Sequence, residues 1–248
     1  MPVVVISDVD GVLREGKGIA VPSKIRQGVA SFRRKGGIFN MITGGPLAHV
    51  PDIPAHMVFA EAGGVRVTPR GKYVFEEGRV SVLALRQHLG ILQKNGFVET
   101  SFGSLIVEGP RWTSLALLFG CPSHYPGCVT SANMEEVHAR IGKLGLKFPL
   151  MLSKAHDTNF GYVDVFSFTK RQAIEAAMCE AGWDNAYFLG DKDPDFEAMS
   201  LKGIIPVGFP NSIEEIRALA RERGVYIDLP GPQGGVAEFF RRLNNGKI

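Results

Sequence analysis

The feature of the sequence that most constrains its fold is a strand-helix-strand pattern near both ends. Early in the chain the apolar run PVVVIS is followed by the helical segment SKIRQGVASFRRK and then by the apolar run GGIFNMIT. Later, helix-period segments again alternate with short apolar runs such as NAYFLG and GIIPVG. Parallel strands need a crossover, and a helix usually supplies it. The pattern therefore predicts an α/β fold in which both ends contribute to one doubly wound parallel sheet.

The middle of the chain is too long to be one crossover. A crossover needs about a dozen residues, whereas the segment between the second strand and Lys170 is long enough for a domain. It contains a hairpin-like stretch, two helix-period stretches and several apolar runs, among them FPLMLS. We therefore expect a core domain of residues 1–78 and 160–248, with an inserted small α+β cap domain of residues 79–159.

Composition and charge exclude several classes of protein. Of the 248 residues, 45% are hydrophobic and 21% charged, which is typical of a globular protein and not of a disordered one. The formal net charge is only +3, and the basic residues are scattered, which argues against nucleic acid as a partner. No apolar stretch approaches the ~20 residues that span a bilayer, and no charged leader precedes the first apolar run. We expect a cytoplasmic protein without a membrane partner.

The cysteines carry little information. Cys121, Cys128 and Cys179 are odd in number, and their spacing fits neither a zinc site nor a disulfide framework. Free thiols are the favoured interpretation. A bridge between Cys121 and Cys128 stays open at this point.

Polar residues follow three of the predicted strands. In open α/β sheets, ligands bind beyond the carboxyl ends of the strands. If these strands are neighbours, their polar residues therefore meet in one crevice. The residues are Asp8 and Asp10 after the first strand, Thr43, Gly44 and Gly45 after the second, and Asp191, Asp193 and Asp195 after the run AYFLG.

Several carboxylates in one crevice repel one another unless a cation neutralises them. Oxygen ligands of this kind suit Mg²⁺ better than zinc or copper, and Mg²⁺ that keeps open positions is suited to phosphate chemistry. The hydroxyl of Thr43 and the amides of Gly44 and Gly45 suit a phosphoryl oxygen. The residues therefore predict a magnesium site beside a phosphate site.

The run from Asp191 to Glu197 also resembles the start of a calcium-binding loop. Phe196 stands where that loop requires glycine for its sharp turn, which disfavours calcium. Asp193 followed by Pro194 instead fits the N-cap and first position of a short helix. We therefore interpret Asp193 as a cap and not as a metal ligand.

Lys170 supplies an independent indication of an anion. It is predicted in the first turn of a helix with Thr169 as N-cap, where a cation opposes the helix dipole. A bound phosphoryl group would remove that penalty, since helix N-termini bind anions. Taken alone, Lys170 is more often a solvated helix residue, and Asp8 and Asp10 could be no more than turn residues after a strand. Their joint occurrence favours a site.

The four segments together resemble a known set of motifs. In chain order they are Asp8-Val-Asp10-Gly11-Val12, Thr43, Lys170, and Gly190-Asp191 with Asp195. In this order, each at a strand end or helix start, they resemble the four motifs of the haloacid dehalogenase (HAD) superfamily. The resemblance and the core around it cover most of the chain.

The resemblance implies a role for each motif residue. Asp8 would be the nucleophile that forms an aspartyl-phosphate, and Asp10 the acid and base. The metal would be Mg²⁺, and the phosphoryl group would have its own ligands. The implied metal ligands are Asp8, the main chain of Asp10, and Asp191 with Asp195 in support, and the implied phosphate-binding residues are Thr43, Gly44 and Lys170.

The inserted segment resembles the cap of one HAD subgroup. That subgroup includes archaeal-type phosphoglycolate phosphatase, sucrose phosphatase and mannosyl-3-phosphoglycerate phosphatase, and AEAGGVRV and GGVAEFF look like its characteristic segments. The sequence departs from the usual motifs at four positions. These are Ala62 and Pro194, where Asn is usual, Arg171, where Gly is usual, and Val12, where Thr is commoner.

The resemblance implies a Mg²⁺-dependent phosphomonoesterase that acts on a small phosphate ester. Phosphoglycolate is the first expected substrate, followed by a sugar phosphate such as mannosyl-3-phosphoglycerate. A phosphomutase-type phosphotransferase that uses the same Asp8 is an alternative. A non-catalytic binding protein is the least favoured, because a degenerate site is expected to lose at least one of Asp8, Asp10, Lys170 and Asp191.

Overall fold

The computed structural model describes residues 2–93, 95–120, 127–144 and 160–248. The chain divides into two compact units, which we call unit 1 (Met1–Lys72 with Lys170–Ile248) and unit 2 (Tyr73–Thr169). The predicted strand FPLMLS and Cys121 lie outside the described residues. Cys128 and Cys179 are free thiols. Among the described helices, none has the length and apolar character needed to cross a membrane.

The helices and strands of the described residues are numbered in chain order. The strands are β1 (Val4–Asp8), β2 (Ile38–Ile42), β3 (Met57–Ala60), β4 (Val65–Thr68), β5 (Gly71–Val74), β6 (Gly96–Thr100), β7 (Gly103–Glu108), β8 (Ser114–Gly120), β9 (Phe160–Phe166), β10 (Ala186–Leu189), β11 (Ile204–Gly208) and β12 (Val225–Tyr226). The helices are α1 (Ser23–Arg34), α2 (Glu76–His88), α3 (Met134–Gly142), α4 (Lys170–Ala181), α5 (Asp193–Met199), α6 (Glu214–Arg223) and α7 (Val236–Asn244).

The larger sheet has eight strands in the order β12-β11-β10-β1-β2-β3-β4-β5. From β12 to β3 all neighbours are parallel, and β4 is antiparallel to β3. The first strand of the chain, β1, therefore lies between β2 and β10. This is the parallel sheet to which both ends of the chain were predicted to contribute.

Both faces of the parallel strands are covered. On one face Val5, Phe39 and Met41 belong to a buried cluster together with Ile25 of α1 and Phe240 of α7. Alternate strand residues point to the other face, and there Ile6 and Phe188 are also fully buried. Burial on both faces accounts for the continuous apolar runs in the sequence. The predicted α/β class with a doubly wound parallel sheet is confirmed.

Unit 2 contains an antiparallel sheet in the order β6-β7-β8-β9. One face of this sheet packs against α2 and α3, because alternate residues of its strands are apolar on that face. Val82 and Leu85 of α2 and Val137 and Ile141 of α3 belong to the same buried cluster as the strand residues. Unit 2 is thus a small α+β unit with its own core.

The bounds of the inserted unit differ from the predicted residues 79–159. Helix α2 begins at Glu76, and β9 pairs along its length with β8, so both ends of the insertion extend further. The rings of Phe75 and Phe168 lie 4.9 Å apart and join these two ends within unit 2. A sequence pattern that marks only helix and strand periodicity cannot locate such a contact.

Candidate active site

The predicted site residues follow neighbouring strands. Asp8 ends β1, Thr43 directly follows β2, and Asp191 follows β10, and these strands are adjacent in the sheet. Asp8 is 6% exposed, and Thr43 and Asp191 are each 4% exposed. Because the carboxyl ends of parallel strands lie at the same edge, the three strands bring these residues to one place.

Lys170 lies between two carboxylates. Its Nζ donates to Asp8 Oδ1 at 2.6 Å and to Asp195 Oδ1 at 2.6 Å, and all three side chains are buried. An ammonium has three donors, so one hydrogen remains for a further acceptor. Lys170 is therefore arranged to hold Asp8 in place and to bind an oxygen of a ligand.

Asp195 organises the segment that carries Asp191. Its Oδ2 accepts from the backbone N–H of Asp191 at 3.0 Å and of Lys192 at 3.3 Å, while its Oδ1 accepts from Lys170. Both oxygens therefore already have donors in the protein. Asp193 is the first residue of α5 and Lys192 its N-cap, so the prediction that Asp193 is the N-cap was wrong by one position.

Gly11 allows the loop after β1 to approach Asp191 closely. Its φ is +87°, a conformation that favours glycine. A Cβ at this position would overlap the carboxylate of Asp191. The glycine of the first motif is thus required both by the turn and by the space between two site segments.

The Asp10 side chain lies apart from the three-carboxylate group. Its Oδ1 accepts from Arg14 Nε at 2.7 Å, and its side chain is 24% exposed. It lies two residues after the end of β1, at the start of the turn that follows the strand. Asp10 is thus the more accessible of the two aspartates of the first motif.

The hydroxyl group of Thr43 is available as a hydrogen-bond donor. Its backbone N–H donates to the Phe59 carbonyl at 2.8 Å, and its Oγ1 accepts from the N–H of Gly45 at 3.0 Å. A hydroxyl group has one O–H donor besides its two lone pairs, so Thr43 can still donate to a ligand. The arrangement suits the predicted role of Thr43 as a phosphoryl ligand, and Gly44 lies between the two bonded residues.

The site fits a hard divalent cation. One carboxylate oxygen from each of Asp8, Asp191 and Asp195 lies within 4.8 Å of the others. Three carboxylates beside one ammonium leave an excess of two negative charges. Within the described residues, Asp191 Oδ1 is buried and accepts no hydrogen bond. Mg²⁺ binds carboxylate oxygens, so Asp8, Asp191 and Asp195 would hold it.

The pKa values of the site residues also indicate that the site needs positive charge. Burial, with a smaller contribution from Asp195, raises the pKa of Asp8 to about 6 against the opposing charge of Lys170. Burial, followed by the charges of Asp8 and Asp195, raises the pKa of Asp191 to about 8. Burial disfavours the charge on Lys170, but Asp195 and Asp8 outweigh it and raise the pKa of Lys170. Without a cation, the site favours protons on its carboxylates.

The stability of the metal-free protein should therefore fall as pH rises. An unfolded Asp has a pKa of about 4, so between pH ~4 and ~8 the folded state binds more protons than the unfolded state. We expect the Tm measured in EDTA to fall from pH 5 to pH 8. Mg²⁺ replaces these protons, so it should raise the Tm more at pH 8 than at pH 5.

Differential scanning calorimetry across this pH range, with EDTA or Mg²⁺, checks the expectation. Asp191→Asn should remove most of both effects, whereas Asp228→Asn, at an exposed position, should change neither. A Tm in EDTA that stays flat or rises from pH 5 to pH 8 would contradict the expected proton linkage.

Three residues whose contacts the sequence did not predict hold the site loops. Arg14 pairs with Asp10, and Asn211 Nδ2 donates to the Gly11 carbonyl at 2.7 Å. Ser212 Oγ donates to the Gly190 carbonyl at 2.9 Å. The pattern of Ser212 with Glu215 is typical of a capping box, but α6 begins at Glu214 and Ser212 does not cap it. No sequence signal identified these loop contacts.

No protein-family profile matches the chain. No curated protein matches its sequence either. Solved structures, in contrast, match its fold over nearly the whole length.

Three of these structures illustrate the likeness. TM0651 from Thermotoga maritima has a TM-score of 0.68 at 15% identity, over 98% of this chain and 97% of that chain. BT1666 from Bacteroides thetaiotaomicron, described among phosphatases of the haloalkanoate (HAD) enzyme superfamily, has 0.63 at 16%, over 100% and 96%. BT4131, described as a HAD subclass IIB sugar phosphatase, has 0.62 at 12%, over 99% and 100%. The chain thus has the fold of HAD superfamily phosphatases.

Proposed function

We propose that this protein is a phosphotransferase that hydrolyses phosphate monoesters through an aspartyl-phosphate on Asp8. The observation that carries the proposal is the pair of Asp8 and Lys170, buried and 2.6 Å apart at the carboxyl end of β1. A buried nucleophile held by an ammonium is an arrangement for attack on an anionic phosphoryl group. The shared fold with phosphatases supports it.

In the first step a carboxylate oxygen of Asp8 attacks phosphorus. The bond from phosphorus to the ester oxygen breaks, and Asp10 gives its proton to that departing oxygen. The products are an alcohol, an aspartyl-phosphate on Asp8 and an ionised Asp10. General acid catalysis of this kind contributes about 10²- to 10⁴-fold, so it accounts for only part of the acceleration that such slow reactions require.

In the second step a water molecule attacks the phosphorus of the aspartyl-phosphate. Asp10 takes a proton from that water, the bond from phosphorus to Asp8 breaks, and phosphate leaves. Both aspartates return to their starting states. Asp10 is more exposed than Asp8, which suits a group that must reach first an alcohol oxygen and then water.

The phosphoryl oxygens need donors and positive charge throughout both steps. The third hydrogen of Lys170 and the hydroxyl of Thr43 would supply two of these donors. A Mg²⁺ held by Asp8 and Asp191, with the main chain of Asp10 and with Asp195 in support, would add charge at the same oxygens. We propose Gly44 as a further ligand through its backbone.

We further propose that the substrate is a small phosphate ester, phosphoglycolate first and then a sugar phosphate. The proposal rests on the resemblance of the inserted segment to the caps named above and on the sugar phosphatase among the structural neighbours.

Phosphate release from a panel of esters tests the function. The panel contains p-nitrophenyl phosphate, phosphoglycolate, hexose phosphates and phosphoglycerate derivatives, each with Mg²⁺ or with EDTA. We expect release from at least one alkyl ester with Mg²⁺ and none with EDTA. Isomerisation of a hexose phosphate without phosphate release, dependent on a bisphosphate activator, would instead favour a phosphomutase. No reaction with any ester would refute the phosphotransferase proposal.

A further inference from the structure

We propose that Arg14 is a positioning residue for Asp10. It holds one oxygen of the Asp10 carboxylate so that the other oxygen exchanges the proton with the leaving group. The inference rests on the proposed function, since it concerns the proton that the alcohol receives. It assigns a role to a residue outside the four motifs.

The contacts of Arg14 define the geometry. Its Nε donates to Asp10 Oδ1 at 2.7 Å, and its Nη2 donates to the carbonyl of His49 at 2.9 Å. The side chain of Arg14 is only 6% exposed. A guanidinium is planar with donors in fixed directions, so two acceptors on different segments fix its orientation. That orientation in turn fixes Oδ1 of Asp10.

The other carboxylate oxygen of Asp10, Oδ2, is available for proton transfer. Within the described part of the chain, the one hydrogen bond to the Asp10 carboxylate is that from Arg14 to Oδ1. The side chain is 24% exposed, in contrast to the buried Asp8. Oδ2 is therefore the oxygen that carries the proton to the departing alcohol and later accepts one from water.

The backbone turn after β1 brings Arg14 next to Asp10. The N–H groups of Leu13 and Arg14 both donate to the Val9 carbonyl, at 2.9 and 3.1 Å, and Gly11 N–H donates to the Arg14 carbonyl at 2.7 Å. Val12 and Leu13 within the turn are fully buried. A tight turn anchored by buried side chains returns the guanidinium to Asp10, four residues earlier. The conformation of the turn therefore determines the pairing of Arg14 with Asp10.

A purely structural role for Arg14 makes a different prediction. Arg14 joins the loop after β1 to the segment between β2 and β3, since it also bonds the His49 carbonyl. If that tie were its only role, its loss would lower the catalysis of every substrate by a similar factor. A role through the acid Asp10 should instead depend on how much the leaving group needs a proton.

The experiment compares kcat/KM for an aryl and an alkyl ester. The esters are p-nitrophenyl phosphate, whose leaving group departs as a stable anion, and the fastest alkyl ester of the panel. The value of kcat/KM reports steps up to the first irreversible one, so hydrolysis of the aspartyl-phosphate does not mask the effect. The variants are Arg14→Met and Arg14→Lys, and the control is Arg26→Met, because Arg26 also bonds two backbone carbonyls but lies outside the site.

We expect Arg14→Met to lower kcat/KM for the alkyl ester by ~10²-fold, in the range for a misplaced catalytic acid. For p-nitrophenyl phosphate the loss should stay below ~3-fold, consistent with a lesser need for acid catalysis. Arg14→Lys should lie between wild type and Arg14→Met for the alkyl ester, and Arg26→Met should match wild type for both. Equal losses for the two esters, or no loss for either, would overturn the proposal while leaving the phosphatase intact. An inactive wild type would overturn the proposed function and this inference together.

A double-mutant cycle gives a second, independent reading. In the Asp10→Asn background no acid remains to be positioned, so adding Arg14→Met should change the residual kcat/KM for the alkyl ester by less than ~2-fold, in contrast to the ~10²-fold loss expected in the wild-type background. A further loss of ~10-fold or more in this background would show that Arg14 acts on something other than Asp10 and would overturn the proposal.

Discussion

Asp8→Asn is expected to lower phosphate release by ~10⁵-fold or more, a loss on the scale of removing a covalent nucleophile. The amide has nearly the shape of the carboxylate but does not attack phosphorus. Because it also removes one of three crowded negative charges, the variant should be at least as stable as wild type in EDTA at pH 8. Loss of activity with retained stability separates a chemical role from a structural one.

The measurement is the initial rate on the best panel ester, together with mass spectrometry of acid-quenched enzyme. Wild type should show a fraction of molecules heavier by one phosphoryl group, and Asp8→Asn should show none. Asp228→Asn, at an exposed position, serves as the matched control. More than about 1% of wild-type activity in Asp8→Asn would refute Asp8 as the nucleophile.

Lys170→Met has the second-largest expected effect, and it acts on both stability and activity. The substitution removes the ammonium that bonds Asp8 and Asp195 and leaves their carboxylates buried without it. Removing one partner of a buried ion pair costs about 3–5 kcal/mol. It also removes a donor to the phosphoryl group, for which a loss of ~10³-fold in kcat is expected.

Urea unfolding in EDTA and in Mg²⁺ measures the first effect, and the panel assay the second. Adding Asp195→Asn to Lys170→Met should recover part of the stability, since it removes one uncompensated charge, without recovering activity. Lys202→Met, at an exposed position, should change neither quantity. Wild-type stability in EDTA for Lys170→Met would contradict the charge balance described for the site.

Much of the fold could be predicted because burial on both faces leaves a strong signal. Strands such as β1 and β11 are short apolar runs with few polar interruptions, and those runs identified the parallel sheet. Strand β6 gave no such signal, since Val98 is its one buried residue and Phe97 and Glu99 are exposed. An edge strand with a single buried position is not distinguishable from a loop by periodicity.

The candidate site likewise contains residues that could be predicted from the sequence and residues that could not. Residues at strand ends, such as Asp8, Thr43 and Asp191, could be grouped because parallel strands end at a common edge. The partners of Arg14 and Asn211 depend on the paths of loops between distant segments, which no local pattern encodes. Asp195 was predicted as a metal ligand, and the structure adds that its two oxygens bond Lys170 and the backbone around Asp191.

The position of β1 between β2 and β10 affects when the sheet can form during synthesis of the chain. Val5, near the start of the chain, pairs with Tyr187, and at 5 to 20 residues per second the ribosome adds β10 on the order of 10 to 40 s after β1. Until then β1 has one open edge, and the strand end that bears Asp8 lacks Asp191 beside it. Folding of a central strand that needs so distant a partner is slow. Nascent chains should therefore acquire activity only after β10 and Asp191 have been synthesised, and activity then reports that β1 and β10 have come together.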